Sequence, residues 1–297
     1  MNTIAIINSQ GGNIQGGRRL ENLISKLALV VNECKVTEYQ GHATLLAKES
    51  SGYDTIVVCG GDGTIFEVLA GMDFQRQSLA IFPLGTGNSL GRDLGILRFE
   101  DALAALKSGK CTTLDLLDVR TRHSNGTNKE FFSAATMGIG YCADTVKLGK
   151  RSLKRLREFC YPVAAVAQLF GQRKLTYLIQ YNQETAQTKT LSGILINNTR
   201  HAGNFCAFRD ASPSDSLLDV MELNSGFFRQ SLHNISVLSR KYFYEPGLMR
   251  RVHSLSLTGD SSFDLMIDGE IVGDVIHVEI KLSDSKISCF VNGKVKP

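Results

Sequence analysis

The 297-residue sequence lacks the cysteine and histidine spacings that mark disulfide frameworks and common zinc sites. Its seven cysteines are odd in number and scattered, and none of them forms a C-x-x-C pair. The six histidines show no H-E-x-x-H spacing. We therefore expect no disulfide framework and no zinc ribbon, and we expect a reducing compartment, the cytoplasm.

Long apolar runs and a strong charge excess are also missing. No apolar stretch approaches the roughly 18 residues of a transmembrane helix, and the N-terminus shows no basic region followed by a long apolar core, so we expect no secretory signal. The net charge of +4 is mild and does not indicate a nucleic-acid-binding protein, but it permits attraction to anionic lipid. Any membrane contact is therefore expected to be peripheral.

The first third of the chain shows an alternation of strand and helix signals. Apolar, β-branched runs occur at residues 4–7, 55–59 and 79–82, and helical spacing of apolar residues follows the first two. Strands that alternate with helices predict an α/β domain with a parallel sheet.

After about Leu114 the pattern changes to short strand signals separated by turn formers. This pattern predicts a mostly antiparallel β-sandwich, interrupted by a helical stretch over roughly residues 144–169. A chain of this length suggests two domains. We predict an α/β domain at residues 1–118 and a β-rich domain at residues 119–287, with a tail of about residues 288–297 that packs back on the first domain.

The strongest motif is a glycine-rich pentapeptide between a predicted strand and a predicted helix. Its residues are Gly60, Gly61, Asp62, Gly63 and Thr64. Glycines let the backbone approach a ligand closely, and the N–H groups that open a helix favour phosphate oxygens. The Asp62 carboxylate suits water-mediated Mg²⁺ binding or proton transfer. The structural alternative is a tight turn in which Asp62 caps the helix.

A second glycine-rich loop follows the next strand and contains Gly85, Thr86, Gly87 and Asn88. Ligands of open α/β sheets bind at the carboxyl ends of the strands, so the two loops are placed to converge on one polyphosphate. The loop at residues 8–17 is a third candidate, although Arg18 and Arg19 stand where a P-loop has Lys and Ser or Thr.

Taken in order, these motifs resemble the catalytic domain of the diacylglycerol kinase, sphingosine kinase and bacterial lipid kinase superfamily. The resemblance rests on both glycine loops and Arg92 and extends over nearly the whole chain. Further matching positions are Asn8, Leu114, Asp115, Phe132, Gly138, Gly140, Ala211, Asp215, Asp219, Asp268, Gly269 and Glu270. Three positions depart from the family pattern: Ser89 replaces a frequent Asp, Arg209 a Pro, and Ser216 a Gly.

The resemblance implies an ATP-dependent lipid kinase, most simply one that converts diacylglycerol to phosphatidic acid with Mg²⁺. It implies that ATP binds to Asn8 and the two glycine loops, and that Asp62 and Asp115 hold Mg²⁺, in part through water. For catalysis it implies Asp268, Asp62 and Glu270, with Asp268 the favoured proton acceptor. The Asp268-Gly269 pair also fits a hairpin turn, and both roles are compatible.

A basic stretch in the predicted helical region is a candidate membrane surface. Lys150, Arg151, Lys154 and Arg155 lie in it and interleave with apolar residues. A basic amphipathic helix suits an anionic membrane, and a solvated helix face is the alternative. Because the family resemblance implies a lipid substrate, we expect the protein to meet that substrate at a membrane surface.

Three other functions fit parts of the sequence. Residues 87–91 match the G-x-S-x-G elbow of hydrolases around Ser89, but the serine does not follow directly after a strand. A small-molecule kinase of the NAD kinase type shares the Gly60–Gly63 motif. A non-catalytic lipid or nucleotide sensor on the same scaffold is the third alternative.

Overall fold

The computed structural model describes residues 2–10, 17–152, 160–168, 173–223 and 249–293. Over these residues the chain forms two compact units. Unit 1 contains the residues up to Leu116 and those from Asp284 onward, and unit 2 spans Leu117–Ser283. The chain crosses from one unit to the other within two strands, β5 (Cys111–His123) and β16 (Glu270–Phe290).

Unit 1 alternates strands with helices as the apolar pattern predicts. Its elements are β1 (Thr3–Asn8), α1 (Gly17–Leu27), β2 (Glu33–Thr37), α2 (His42–Glu49), β3 (Thr55–Gly60), α3 (Asp62–Leu69), β4 (Ser78–Pro83), α4 (Ser89–Asp93), α5 (Phe99–Ser108) and the start of β5 (Cys111–His123).

The sheet of unit 1 is parallel, with strand order β4-β3-β1-β2. The last residues of β16 extend it, because Ser288 and Cys289 pair in parallel with β4. The apolar side chains of β1, β3 and β4 are almost completely buried, as expected for a parallel sheet that helices cover on both faces.

Unit 2 is built mainly from antiparallel strands. Its elements are the end of β5, β6 (Asn128–Ser133), β7 (Thr136–Gly140), α6 (Tyr141–Ser152), α7 (Cys160–Gln168), β8 (Leu175–Tyr181), β9 (Gln187–Leu191), β10 (Gly193–Asn197), β11 (His201–Ala202), β12 (Phe205–Cys206), β13 (Leu218–Leu223), β14 (Met249–Val252), β15 (Ser254–Ile267) and most of β16 (Glu270–Phe290).

The strand order in unit 2 is β14-β13-β10-β7-β15-β16, and each neighbouring pair is antiparallel. A parallel α/β region followed by an antiparallel β region was the fold class predicted from the sequence, and it is confirmed.

One local interpretation of the sequence needs correction, and the predicted helical stretch is confirmed over the described residues. The apolar pattern of the sequence predicts two strands, at residues 254–258 and 263–267, but the structure has one strand, β15. A register shift between Thr258 and Phe263 lets this strand continue past the polar residues between them. The helical stretch predicted at residues 144–169 contains two helices, α6 and α7, and residues 153–159 and 169 lie outside the described residues. No helix in the described ranges is both long and apolar enough to span a membrane.

Candidate active site

Three strand ends meet at one edge of the parallel sheet in unit 1. Strand β3 pairs with β1 on one side and with β4 on the other. Because the three strands are parallel, Asn8, Gly60 and Pro83 lie at the same carboxyl edge. This is the edge where open α/β sheets bind ligands.

The two glycine loops touch through their backbones at this edge. A Cβ atom added to Gly85 would lie 2.5 Å from the Cα of Gly61 and 2.8 Å from Oδ1 of Asn88. The N–H of Leu84 also donates to the carbonyl of Gly60 at 2.9 Å. Only glycine at position 85 allows this approach, so the structure brings together the loops that the sequence placed at separate strand ends.

The first loop leads directly into α3, whose first residue is Asp62. The N–H groups at the start of a helix have no preceding turn to accept their hydrogen bonds, so they are suited to an anion. Asn8 reaches the same helix, because its Nδ2 donates to Oγ1 of Thr64 at 2.9 Å. The end of β1 is thereby fixed against the first glycine loop.

The second loop is closed by Asn88. This residue adopts a left-handed backbone conformation, φ 54° and ψ 48°, which Asn tolerates better than most residues. Its side chain accepts from the N–H of Gly85 at 3.1 Å and donates to the Gly85 carbonyl at 2.7 Å. Nε of Arg92 donates to the carbonyl of Gly87 at 2.8 Å. Thr86, at the tip of the loop, is exposed.

Asp62, in the first glycine loop, is hydrogen-bonded to Ser89, which follows the second loop. One of its oxygens accepts from the N–H of Ser89 at 2.7 Å, and the other lies 3.3 Å from the Ser89 hydroxyl. Asp62 therefore does not cap its own helix, α3, and instead holds the first turn of α4. Burial raises the pKa of Asp62 to about 6, although the donors of Ser89, Asn88 and Leu90 act in the opposite direction.

Ser89 thus supplies Asp62 with two donors, its backbone N–H and its hydroxyl. The same contacts oppose the hydrolase interpretation, because Ser89 is only 3% exposed and its hydroxyl is bonded to an acid. Nothing in the local sequence signals this pairing across 27 positions.

The second carboxylate predicted to hold a metal, Asp115, has a protein cation beside it. Nζ of Lys286 donates to Oδ1 of Asp115 at 2.6 Å, and the Asp115 side chain is 1% exposed. No local sequence signal points to Lys286, because 171 positions separate it from its partner. Among the described residues, no group of three or more His, Cys, Asp or Glu side chains is arranged to hold a metal ion.

In unit 2, Asp268 and Gly269 form the predicted hairpin turn between β15 and β16. Both residues have positive φ, 46° and 88°, and Ile267 pairs with Glu270 on either side of them. This is the two-residue turn that Asp-Gly favours, so the hairpin prediction is confirmed.

The Asp268 side chain is held by the chain segment that leads into β7. Its carboxylate accepts from the Ser133 hydroxyl at 3.0 Å and from the N–H groups of Ala134, Ala135 and Thr136 at 3.2, 3.2 and 2.8 Å. The residue is 3% exposed. Four donors stabilise the carboxylate anion and fix its position.

Glu270 and the basic helix α6 meet in the same unit. Nζ of Lys150 lies 2.6 Å from Oε1 of Glu270, and Nζ of Lys147 lies 2.6 Å from Oδ2 of Asp264. A residue predicted for the membrane surface is thus ion-paired with one predicted for catalysis. Arg151 is exposed. Lys154, Arg155 and residues 11–16, in the loop at residues 8–17, lie outside the described residues.

Unit 2 also contains an open pocket of about 250 Å³, which the sequence analysis could not place. Asp144, Asp264, Asp274 and Arg173 line it together with two serines and Phe263. Burial, followed by the charge of Asp264, raises the pKa of Asp144. The lining is mainly polar, so the pocket suits hydroxyl groups better than acyl chains.

Comparison with known proteins agrees with this geometry. The sequence profile of the diacylglycerol kinase catalytic domain matches residues 2–119. The diacylglycerol kinase of Staphylococcus saprophyticus is 25% identical over 281 residues, covering 90% of this chain and 88% of that protein. That of Bacillus subtilis is 26% identical over 268 residues, covering 84% and 85%.

Residues 2–119 thus match the diacylglycerol kinase catalytic domain, and two proteins named diacylglycerol kinase match most of the chain. These matches support a lipid kinase, and a kinase of this type uses ATP. The crystal structure of a diacylglycerol kinase from Bacillus anthracis superposes with a TM-score of 0.75 at 21% identity, covering 99% of this chain and 98% of that one. This likeness extends the shared fold over both units.

Replacing Gly85 with Ala should separate the two glycine loops of this lipid kinase. The added Cβ would meet the Gly61 backbone at 2.5 Å, so we expect a stability loss of roughly 1–3 kcal/mol and weaker ATP binding. Urea unfolding and titration with ATP would measure both effects. Gly52→Ala is the matched control, since nothing lies within 4 Å of a Cβ there. Equal ATP affinity in both variants would contradict the assignment of the loop contact to the nucleotide site.

The raised pKa of Asp62 should appear in the pH dependence of stability. The folded state holds this proton up to about pH 6, whereas an unfolded Asp loses it near pH 4, roughly. The Asp62 carboxyl therefore disfavours folding increasingly as the pH rises from about 4 to about 6. We expect a loss of stability on the order of 2 kcal/mol, which is less than the full pKa shift would give, because the side chain keeps some solvent contact.

Asp62→Asn removes this titration. The free energy of unfolding of the wild type minus that of Asp62→Asn should therefore fall across the same pH interval and stay level above it. Urea unfolding of both proteins at a series of pH values measures this difference. A difference that is constant with pH would show that the pKa of Asp62 is not raised.

Proposed function

We propose that the protein transfers the γ-phosphate of ATP to the hydroxyl of diacylglycerol and so forms phosphatidic acid. The observation that carries the proposal is the contact between the two glycine loops at the carboxyl edge of the sheet, beside the start of α3. Two glycine turns and a helix N-terminus at one point suit a polyphosphate. The relatives named as diacylglycerol kinases support the choice of acceptor.

The nucleotide phosphates would bind to the backbone of both loops in unit 1. Gly60 is buried at the end of β3, whereas Gly61 and Gly63 leave the backbone partly accessible. The N–H groups at the start of α3 favour the negative charge. Thr86 is exposed at the tip of the second loop, and Asn88 keeps that loop closed. Asn8 would act indirectly on the phosphate site, because it holds Thr64 through a hydrogen bond.

The carboxylates of unit 1 fit Mg²⁺ only in part. Mg²⁺ in kinases is usually held by one or two carboxylates together with substrate phosphates and water, and Asp62 is placed beside the phosphate loops for that role. Asp115 fits less well, because Lys286 already neutralises it. When bound, Mg²⁺ would offset the charge of the phosphates.

Two carboxylates are candidates for accepting the proton of the lipid hydroxyl, and their environments differ. Asp268 is held in place by four hydrogen-bond donors. The pKa of Asp62 is raised to about 6, which suits a general base near neutral pH. We propose Asp268 as the proton acceptor and Asp62 as the alternative. Glu270 supports the hairpin turn through its ion pair with Lys150.

The acceptor specificity should be visible in a panel of lipids. With labelled ATP and Mg²⁺, we expect phosphatidic acid from diacylglycerol at a higher kcat/KM than the products from monoacylglycerol, ceramide, phosphatidylglycerol or a sphingoid base. The panel also includes NAD, a small-molecule acceptor that tests the NAD kinase alternative. A faster reaction with a sphingoid base would contradict diacylglycerol as substrate and leave the kinase assignment intact. Phosphorylation of NAD alone would contradict both.

Variants of the two aspartates should separate their roles. If Asp268 accepts the proton, Asp268→Asn should lower kcat by about 10²–10⁴-fold while the affinity for ATP stays near that of the wild type. Asp62→Asn should lower kcat by orders of magnitude and also weaken binding of Mg·ATP. Thermal melting checks folding in each case.

Asp260→Asn is the control for these variants, because Asp260 is an exposed acid of unit 2. It should leave kcat unchanged. If Asp268→Asn kept wild-type turnover, the proton would have to be assigned to Asp62.

A further inference from the structure

The Asp268 carboxylate lies in a concavity made by the segment between β6 and β7. The N–H groups of Ala134, Ala135 and Thr136 all donate to it, at 3.2, 3.2 and 2.8 Å. Successive backbone N–H groups that converge in this way form a nest, which suits a negative charge. The chain bends at Ala134 and Ala135, and both residues are buried. The position of the carboxylate therefore depends on the orientation of buried peptide units.

Asn198 holds two of these peptide units from the other side. Its Nδ2 donates to the carbonyl of Ala134 at 3.3 Å, and its backbone N–H donates to the carbonyl of Ala135 at 2.8 Å. The carbonyl of one residue and the N–H of the next share a planar trans peptide unit and point in opposite directions. Asn198 thus binds the carbonyl ends of the two units whose N–H ends, those of Ala135 and Thr136, donate to Asp268.

Asn198 is itself fixed by its place in the sheet. It follows directly after β10, which pairs with β7 through Asn197 and Thr136, and it is completely buried. Asp268 is joined to the same segment through its backbone, because its N–H donates to the carbonyl of Thr136 at 2.8 Å. Asn198, the nest and the carboxylate thus form one connected set of hydrogen bonds within unit 2.

We propose that Asn198 is a positioning residue for Asp268 in phosphoryl transfer. By holding the carbonyl of Ala134, its side-chain amide keeps the Ala135 N–H directed at the carboxylate, and polarisation along these bonds strengthens that donor. In the transfer step the lipid hydroxyl oxygen bonds to the γ-phosphorus, the bond from this phosphorus to ADP breaks, and the hydroxyl proton passes to the Asp268 carboxylate. The inference rests on the proposed function in one respect, namely that Asp268 is the proton acceptor.

A double-mutant cycle with Asp268 tests this role. Asn198→Ala should lower kcat about tenfold, because a misplaced acceptor slows the chemical step. The KM for ATP should stay at the wild-type value, since the nucleotide phosphates are assigned to loops of unit 1. In an Asp268→Asn background the same substitution should change kcat less than about twofold, because residues that act through one another have non-additive effects. An equal loss in both backgrounds would show that Asn198 serves the fold alone and would overturn the inference.

Ser192→Ala is the matched control. Ser192 directly precedes β10, as Asn198 directly follows it, and its buried hydroxyl donates to the carbonyl of Leu223 at 2.7 Å. This substitution also removes a buried bond from a side chain to a backbone carbonyl in unit 2, but it leaves the nest intact. It should lower the melting temperature and leave kcat at the wild-type value. A loss of kcat as large as that of Asn198→Ala would contradict a specific role for Asn198.

Amide hydrogen exchange, followed by NMR, gives a readout that does not depend on turnover. In Asn198→Ser, a milder change for the case that Asn198→Ala does not fold, the Ala135 amide should exchange about tenfold faster than in the wild type. The Thr136 amide should exchange at the wild-type rate, because the backbone N–H of residue 198 still holds its peptide unit. Wild-type exchange at Ala135, or wild-type kcat in this variant, would overturn the inference.

Failure of this inference and failure of the proposed function give different results. If Asp268→Asn alone keeps wild-type turnover, Asp268 is not the proton acceptor, and the role of Asn198 falls with that assignment. If Asp268→Asn is slow but the losses in the cycle multiply, the assignment of Asp268 stands and the role of Asn198 is refuted. The cycle can be measured with any lipid that the protein phosphorylates, so a different acceptor would refute diacylglycerol alone.

Discussion

The candidate nucleotide site depends on the close approach of two peptide segments, the turn after β3 and the turn after β4. Glycine at positions 61 and 85 permits the approach, and the Asp62 carboxylate then holds the first turn of α4 through Ser89. One partly buried acid thus fixes the relative position of two loops and two helices. Its raised pKa is a consequence of that burial, and it also makes Asp62 responsive to protons near neutral pH.

The sequence predicted much of this because the signals are local. Apolar runs identified β1, β3 and β4, glycine clusters identified the loops that follow them, and Asp-Gly identified the hairpin between β15 and β16. In each case a few adjacent residues determine the backbone conformation. The family resemblance then ordered these pieces along the chain.

What the sequence did not predict are contacts between distant segments. The partners of Asp115, Asp268 and Glu270 lie more than 100 positions away, at Lys286, at the segment around Ser133 and at Lys150. From the sequence alone, an acidic residue is readily predicted to bind a metal ion or accept a proton, because its hydrogen-bond partners are not visible. In the folded chain the carboxylates of these three residues already accept hydrogen bonds from other protein groups. Their capacity to bind a metal ion or accept a proton therefore depends on the oxygen lone pairs that remain unoccupied.

Strand β16 runs without interruption for 21 residues, from the hairpin turn to its pairing with β4. Side chains alternate between the two faces of a strand, so inserting or deleting one residue would reverse the direction of every side chain beyond it. Between Ser283 and Lys286, such a change would turn the ammonium group away from Asp115 while leaving the pairing of β16 with β15 in register. Natural variation in length should therefore be confined to the connecting loops, with this strand constant in length among close relatives.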